Sequence, residues 1–239
     1  MTGKLYVVAT PIGNLGDITM RALDTLREVD LIAAEDTRVT SKLLHHYQIT
    51  TPTTSYHQHT QQRKTDNLVN LLLDGKNIAL VTDAGTPGIQ DPAHILVASA
   101  RTAGVEIIAI PGASAITSAV SISGISGDQF VFLGFLPKKK GRETLFKNMV
   151  NWDLPIIIYE SPQRVGKTLL DIGKWLGDRG IMIFRELTKK FEEVVQGDLS
   201  SVIQQLKTKL PKGEFVIMIL SASKRGEPDK KKHGREKNY

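Results

Sequence analysis

Residues 78–92 read IALVTDAGTPGIQDP, and the fold follows from how that stretch divides. Ile78, Ala79, Leu80 and Val81 form an apolar run short enough for a buried strand. Thr82–Gly88 then holds two glycines and a proline, which stop both helix and ladder. Asp91-Pro92 suits a helix start, with aspartate as N-cap and proline at the first helical position, so a helix is expected over Ala93–Ala103. A polar, backbone-exposing loop thus stands at the carboxyl end of a buried strand, the place where open α/β sheets bind ligands. The same residues also suit an ordinary strand-to-helix connection.

The alternation extends in both directions. Upstream, Lys4–Ala9 reads as a strand and Thr10–Asp17 as its loop, with Asp17 capping an amphipathic helix that carries Ile18, Ala22, Leu23, Leu26 and Val29. Leu31–Ala34 is a second strand ending in Glu35-Asp36-Thr37-Arg38, followed by a short helix through Lys42, Leu43 and Leu44. Pro52–Tyr56 reads as an edge strand, His57–Arg63 as a polar run and Asp66–Asp74 as a helix. Downstream, the strand Val105–Ile110 breaks at Pro111-Gly112-Ala113-Ser114-Ala115. Strands alternating with helices argue a parallel sheet.

Ser121–Asp128 (SISGISGD) is the best candidate boundary. Beyond it, strands are expected at Phe130–Phe135, Ile156–Tyr159, Ile181–Phe184 and Phe215–Leu220, with a short extended piece at Glu193–Gln196. Helices are expected at Arg142–Val150, Val165–Leu176 and Leu199–Leu210. The reading is α/β: an N-terminal domain over 1–124, a C-terminal domain over 125–223 and a basic flexible tail over 224–239.

Bulk composition narrows the function. The chain has 239 residues, ordinary hydrophobic and charged fractions of 41% and 23%, and no apolar run of membrane length. The N-terminus lacks the long apolar region of a signal peptide. Zero cysteines exclude disulfides, thiolate catalysis and Cys-based metal sites, and a cytosolic protein with no membrane partner is expected. The tail holds seven Lys/Arg against three acids, four of the six net positive charges. Such a tail either attracts nucleic-acid phosphates or merely solubilises the chain end.

Several familiar signatures fail. No G-x-G-x-x-G follows a strand, so a dinucleotide fingerprint is missing. Gly166-Lys167-Thr168 resembles the end of a P-loop, but Ser161 stands where glycine is required and the triplet falls in a helical pattern. Ser114 lies between alanines, so it is no nucleophile elbow. His57 and His59 have no third ligand close in sequence, and no metal is expected. Glu35 and Glu160 each end a strand and are candidate general bases, or equally a helix cap and a salt bridge.

Taken together, ATPIGNLGD, AEDTR, TDAGTPGIQDP, PGASA, YESPQR and RELTK all follow predicted strands. They are rich in glycine and poor in strong nucleophiles. Such loops suit positioning a reactive cofactor that carries the chemistry itself.

With VATPIGNLGDIT, AEDTR, SYH-x-H, VTDAGTPGIQDP, PGASA, GFLPKKKG, YESPQR and RELTKK in this order from about Leu5 to Ser221, the chain resembles the tetrapyrrole-methylase superfamily of S-adenosylmethionine-dependent methyltransferases. More narrowly it resembles those members that 2′-O-methylate a cytidine in the decoding region of 16S rRNA. It departs from the family at Ala113, where PGPSA is commoner, and at Gln163, where YESPHR is commoner. The resemblance implies two α/β domains with a cofactor cleft between them, a homodimer, and 16S rRNA or the small ribosomal subunit as partner. It places S-adenosylmethionine on Pro11, Asp83, Gly85, Thr86, Ile89, Ser114 and Ala115. Glu35 or Glu160 is the expected catalytic carboxylate, and Arg38, Lys138, Lys139, Lys140, Arg164 and Lys189 the expected phosphate contacts. Related families methylate small tetrapyrroles or a modified protein side chain, and the cofactor loops do not separate these substrates. A non-enzymatic RNA-binding module is disfavoured because aromatics are only 6% and no stacking platform is visible in the sequence.

Overall fold

The computed structural model describes residues 1–57, 61–207 and 212–222. The basic tail over 224–239, His59 and the last turn expected of the helix 199–210 lie outside the described residues. The chain divides into two units, one of Met1–Ile125 with Phe184–Glu193, the other of Ser126–Ile183 with the residues from Val194 onward. A continuous second domain over 125–223 makes no provision for this: Phe184–Glu193 joins the first unit.

In the first unit the strands are β1 (Lys4–Val8), β2 (Leu31–Ala34), β3 (Thr53–Ser55), β4 (Ile78–Val81) and β5 (Glu106–Ile110). The helices are α1 (Met20–Glu28), α2 (Thr37–His46), α3 (Gln61–Leu73), α4 (Ala93–Thr102) and α5 (Ala115–Ser123). The sheet order is β3-β2-β4-β1-β5, every pair parallel, with Leu5 opposite Ile78 and Ala34 opposite Val81. Side chains alternate across it. Ala79 and Val81 pack with Leu23 and Leu26 of α1 and Leu43 and Leu44 of α2. Ile78 and Leu80 pack with Leu68 and Leu72 of α3 and Leu96 and Ala100 of α4. Both faces are covered, which is why β4 is apolar at every position.

The order of connections sets the site. β1 leads through α1 to β2 on one side, while β4 leads through α4 to β5 on the other, and β1 and β4 are neighbours. The winding therefore reverses between β1 and β4, and their loops leave a crevice at that switch point.

In the second unit's sheet the strands are β6 (Val131–Phe135), β7 (Ile156–Glu160), β8 (Gly180–Arg185), β9 (Glu193–Asp198) and β10 (Phe215–Ile219), ordered β6-β7-β10-β8-β9. The helices α6 (Arg142–Met149), α7 (Val165–Leu176) and α8 (Leu199–Lys207) bury Phe146, Leu169, Ile172 and Val202 against Ile156, Ile158, Ile183 and Ile217. This sheet is mixed: β6 and β7 are parallel, β7 and β10 antiparallel.

Local signals shift some boundaries. Asp17 does not cap α1. Asn14 accepts from the Gly16 amide and starts a 3-10 turn over Leu15–Asp17, and the Thr19 hydroxyl caps α1 by accepting from the Ala22 amide at 3.1 Å. Helix α3 begins at Gln61 rather than Asp66, because Thr65 is buried and shares a hydrogen bond with the Tyr56 hydroxyl. Pro92 takes the N-cap place of α4, and the Asp91 carboxylate accepts from the amides of Gly88 and Ala93. Among the described residues no helix is long and apolar enough to cross a membrane.

Candidate functional site

Four loops of the first unit leave the carboxyl ends of β1, β2, β4 and β5, and backbone and side-chain hydrogen bonds join them. Thr10 and Gly85 exchange both backbone hydrogen bonds, at 2.9 and 3.0 Å, in an isolated bridge between the β1 and β4 loops. The Thr10 hydroxyl donates to the Thr82 carbonyl at 3.1 Å, and the Thr86 hydroxyl donates to the Ala113 carbonyl of the β5 loop at 3.2 Å. The β2 loop is tied in by its acids. Glu35 Oε2 accepts from the Thr82 hydroxyl at 2.6 Å and the Asp83 amide at 3.3 Å, while Asp83 Oδ1 accepts from the Asp36 amide at 3.0 Å.

This assembly gathers most of the expected cofactor set. Asp83, Gly85 and Thr86 lie on the β4 loop, Pro11 follows the bridging Thr10, and Ser114 is the N-cap of α5, which opens at Ala115. The Ser114 side chain makes no capping hydrogen bond, so its hydroxyl is not spent on the helix. Ile89 is exposed further along the β4 loop. Two glycines are required by geometry. Gly85 has φ 84°, and a Cβ there would stand 3.3 Å from Ile12 Cγ2. A Cβ on Gly13 would stand 2.4 Å from Lys189 Cγ, so the segment Phe184–Glu193 presses directly on the β1 loop. Glu186 and Thr188 hold left-handed backbone, φ 53° and 66°, as that segment turns.

Charge is distributed unevenly among the acids. Arg38 hydrogen-bonds Asp36 and holds its carboxyl down at about 2. Asp83 is pushed above the ordinary aspartate value of 3.8, first by desolvation and then by the neighbouring Glu35 carboxylate, with the Asp36 amide acting the other way. Its folded pKa therefore exceeds its unfolded one, and the stability linked to its proton is present below the ordinary value and lost as pH rises through the folded value. Asp83 is exposed, so solvent screens this effect, and Asp83→Asn is expected to raise the unfolding midpoint at pH 7 only slightly, by about 1 °C or less. The gain should shrink as the pH falls toward 4, read by thermal melts across that range.

The candidate phosphate contacts separate. Arg38 pairs with Asp36 at 2.6 Å with its side chain largely exposed, and Lys189 pairs with Glu186 at 2.9 Å. Lys139 and Lys140 are exposed on the loop after β6. In the second unit, Lys138 and Arg164 line one pocket of about 650 Å³ with Phe135, Arg142, Ser161, Gln163, Lys167 and Thr168.

Glu160 is not free for chemistry. Its side chain has no exposure; Oε1 accepts from the Ser161 amide at 2.8 Å and faces Arg164 Nε at 3.3 Å, and Oε2 accepts from the Thr168 hydroxyl at 2.6 Å. Arg142 donates to that hydroxyl at 2.9 Å and pairs with Asp171 at 2.8 Å. Arg142 and Arg164 also donate to the carbonyls of Pro137 and Leu136, which fixes the start of the PKKKG loop. The acid at the end of β7 is an anchor, as the salt-bridge alternative has it. Gly166-Lys167-Thr168 lies inside α7. Among the described residues no three His, Asp or Glu gather as a metal cluster.

Sequence reasoning did not select Phe135, Arg142 or Lys167. Lys167 stands three residues after Arg164 at the start of a helix, which is a readable signal for a shared face. Phe135 and Arg142 gave none, because the fold brings them together from a strand end and a different helix.

Comparison with known proteins agrees with this architecture. Residues 4–203 match the family model described as tetrapyrrole (corrin/porphyrin) methylases. A Synechocystis protein named ribosomal RNA small subunit methyltransferase I is 50% identical over 95% of this chain and 82% of its own. A Thermotoga maritima protein of the same name is 46% identical over 91% and 98%. Among solved structures, diphthine synthase aligns at TM-score 0.73, with 15% identity over 92% of this chain and 90% of that one. Thermus thermophilus uroporphyrin-III C-methyltransferase complexed with S-adenosylhomocysteine aligns at 0.64, with 16% identity over 90% and 97%. A switch-point crevice, four loops hydrogen-bonded to one another and a family match over most of the chain lead to one assignment: the chain belongs to the tetrapyrrole methylase family of S-adenosylmethionine-dependent methyltransferases.

Proposed function

We propose that the chain 2′-O-methylates a cytidine ribose in the decoding region of 16S rRNA, with the cofactor seated on Pro11, Asp83, Gly85, Thr86, Ile89, Ser114 and Ala115. One observation carries the site: the bridge of Thr10 to Gly85, which holds the β1 and β4 loops together where the winding reverses. The names of the 46–50% identical relatives support the RNA substrate. The cytoplasmic location and homodimer that the resemblance carries belong to the same reading.

The residues suit the cofactor by their chemistry. Gly85 gives the β4 loop the left-handed turn that packs it against Ile12 and the Ala113 carbonyl, Ser114 offers a hydroxyl not spent on capping its helix, and Asp83 offers a carboxylate to accept from a hydroxyl or an ammonium. S-adenosylmethionine, when bound, supplies a methyl group on a sulfonium, already a strong electrophile. The protein's task is alignment of the ribose oxygen, and removal of its proton. Glu35 serves the second task in this reading: among the described residues only its Oε2 is engaged, by Thr82 and Asp83. Its Oε1 is left to accept.

Methyl transfer should be assayed on small ribosomal subunits, naked rRNA and a tetrapyrrole, with the modified position mapped on the RNA. The expected outcome is a ribose 2′-O-methyl on the subunit or rRNA and none on the tetrapyrrole. Methylation of the tetrapyrrole alone would replace this reading with the small-molecule one. Glu35→Gln should slow turnover about a hundredfold while leaving cofactor affinity near wild type. Normal turnover would remove Glu35 from the mechanism.

A further inference from the structure

The pocket in the second unit has a make-up that neither the cofactor nor the anchoring network accounts for. Its volume, about 650 Å³, is that of a small-molecule site. Four cations line it, Lys138, Arg142, Arg164 and Lys167, and no acid does. The acids that answer two of them stand behind: Glu160 against Arg164 and Asp171 against Arg142. Lys138 and Lys167 form no ion pair among the described residues, so two charges are left facing the space. Phe135, 49% exposed, adds an aromatic face at the end of β6. Its ring stands edge-on to Tyr159 at 5.8 Å, and Tyr159 in turn stands edge-on to Phe132 at 5.0 Å, so it is held from behind. Ser161, Gln163 and Thr168 complete the lining with groups that both donate and accept.

Cations beside a braced, exposed aromatic ring match the two parts of a nucleotide, a phosphate and a flat base. We propose that this pocket is a single-nucleotide subsite for RNA, in which Phe135 stacks a base while Lys138, Arg164 and Lys167 hold its phosphate. The inference rests on the RNA reading above and deepens it. It supplies the stacking platform that composition alone does not reveal. Gln163 lies where its amide can read a base edge or a ribose hydroxyl. The carboxylates behind the pocket and the carbonyls of Leu136 and Pro137 keep both arginines in place before RNA arrives, so little ordering is left to binding.

The test is anisotropy titration of a labelled single-stranded RNA dodecamer with the full chain, over a range of salt, alongside a cofactor titration. Phe135→Leu, which keeps apolar packing against Tyr159, should weaken RNA binding roughly tenfold with an unchanged salt slope. Lys167→Gln should weaken it and flatten the slope of log affinity against log salt by about 0.7, the loss of one phosphate contact. Lys147→Gln, on α6 and paired with Glu143, is the control and should bind RNA like wild type. S-adenosylmethionine affinity should be the same throughout. Wild-type RNA binding by both pocket variants overturns the subsite and leaves the methylation reading standing. A flattened slope with Lys167→Gln but no loss with Phe135→Leu also overturns it, reducing the pocket to a phosphate contact. Failure of the wild-type chain both to bind the dodecamer and to methylate the subunit removes the RNA reading itself, and the subsite with it.

Discussion

Gly85→Val is expected to raise the dissociation constant for S-adenosylmethionine about a hundredfold. Gly85 sits at φ 84°, a backbone that costs a β-branched residue about 2–3 kcal/mol. A side chain there would also crowd Ile12 and the Ala113 carbonyl. The loop of the variant relaxes away from the conformation that bridges to Thr10, and binding must restore it. That restoring energy is lost from the affinity, and about 2.8 kcal/mol corresponds to a hundredfold. Calorimetric titration reads the effect, and circular dichroism checks that the fold survives. Affinity within threefold of wild type would show that the cofactor does not depend on this loop.

The second large effect concerns stability. Glu160→Ala leaves Arg164 and the Thr168 hydroxyl without their buried carboxylate, and breaking such a pair by removing one partner costs about 3 kcal/mol. The unfolding midpoint should fall by roughly 6–12 °C. Arg142 keeps Asp171, so the loss should not spread to the whole network. Glu160→Gln, which keeps the shape and one acceptor, should recover part of it. A catalytic Glu160 predicts the opposite pattern: little change in melting and a large loss in turnover.

Much of this architecture was legible, for identifiable reasons. Leu31–Ala34, Ile78–Val81 and Val165–Leu176 stand at the residues their apolar pattern indicates, because strands covered on both faces and a helix with one buried face leave plain signatures. The antiparallel pairing of β7 with β10 was hidden, since no hairpin joins them and more than fifty residues intervene. Thr19 displaced Asp17 as a cap because both residue types suit the role and only the 3-10 turn decides between them. Three of the first unit's four loops are marked by glycine and proline, whereas Glu35–Arg38 has neither and is marked only by the charged run that ends its strand. Glu160 could not be judged that way: a charged residue at a strand end reads as exposed, and its burial comes from partners four and eight residues on, together with Arg142 behind them. The pocket at Phe135 escaped for the related reason that two stretches, 135–142 and 161–168, meet to build it.

The return of Phe184–Glu193 to the first unit bears on how the molecule is made. Synthesis runs from the amino end, yet the stretch that packs Lys189 against Gly13 emerges only after the whole of Ser126–Ile183. At about 5–20 residues per second, those roughly 60 residues delay it by about 3–12 s. Through that interval the nascent amino-terminal half holds its β1 loop without the segment that braces it. The first unit is therefore not complete until much of the second has been translated, and its β1 loop is among the last of its parts to be braced.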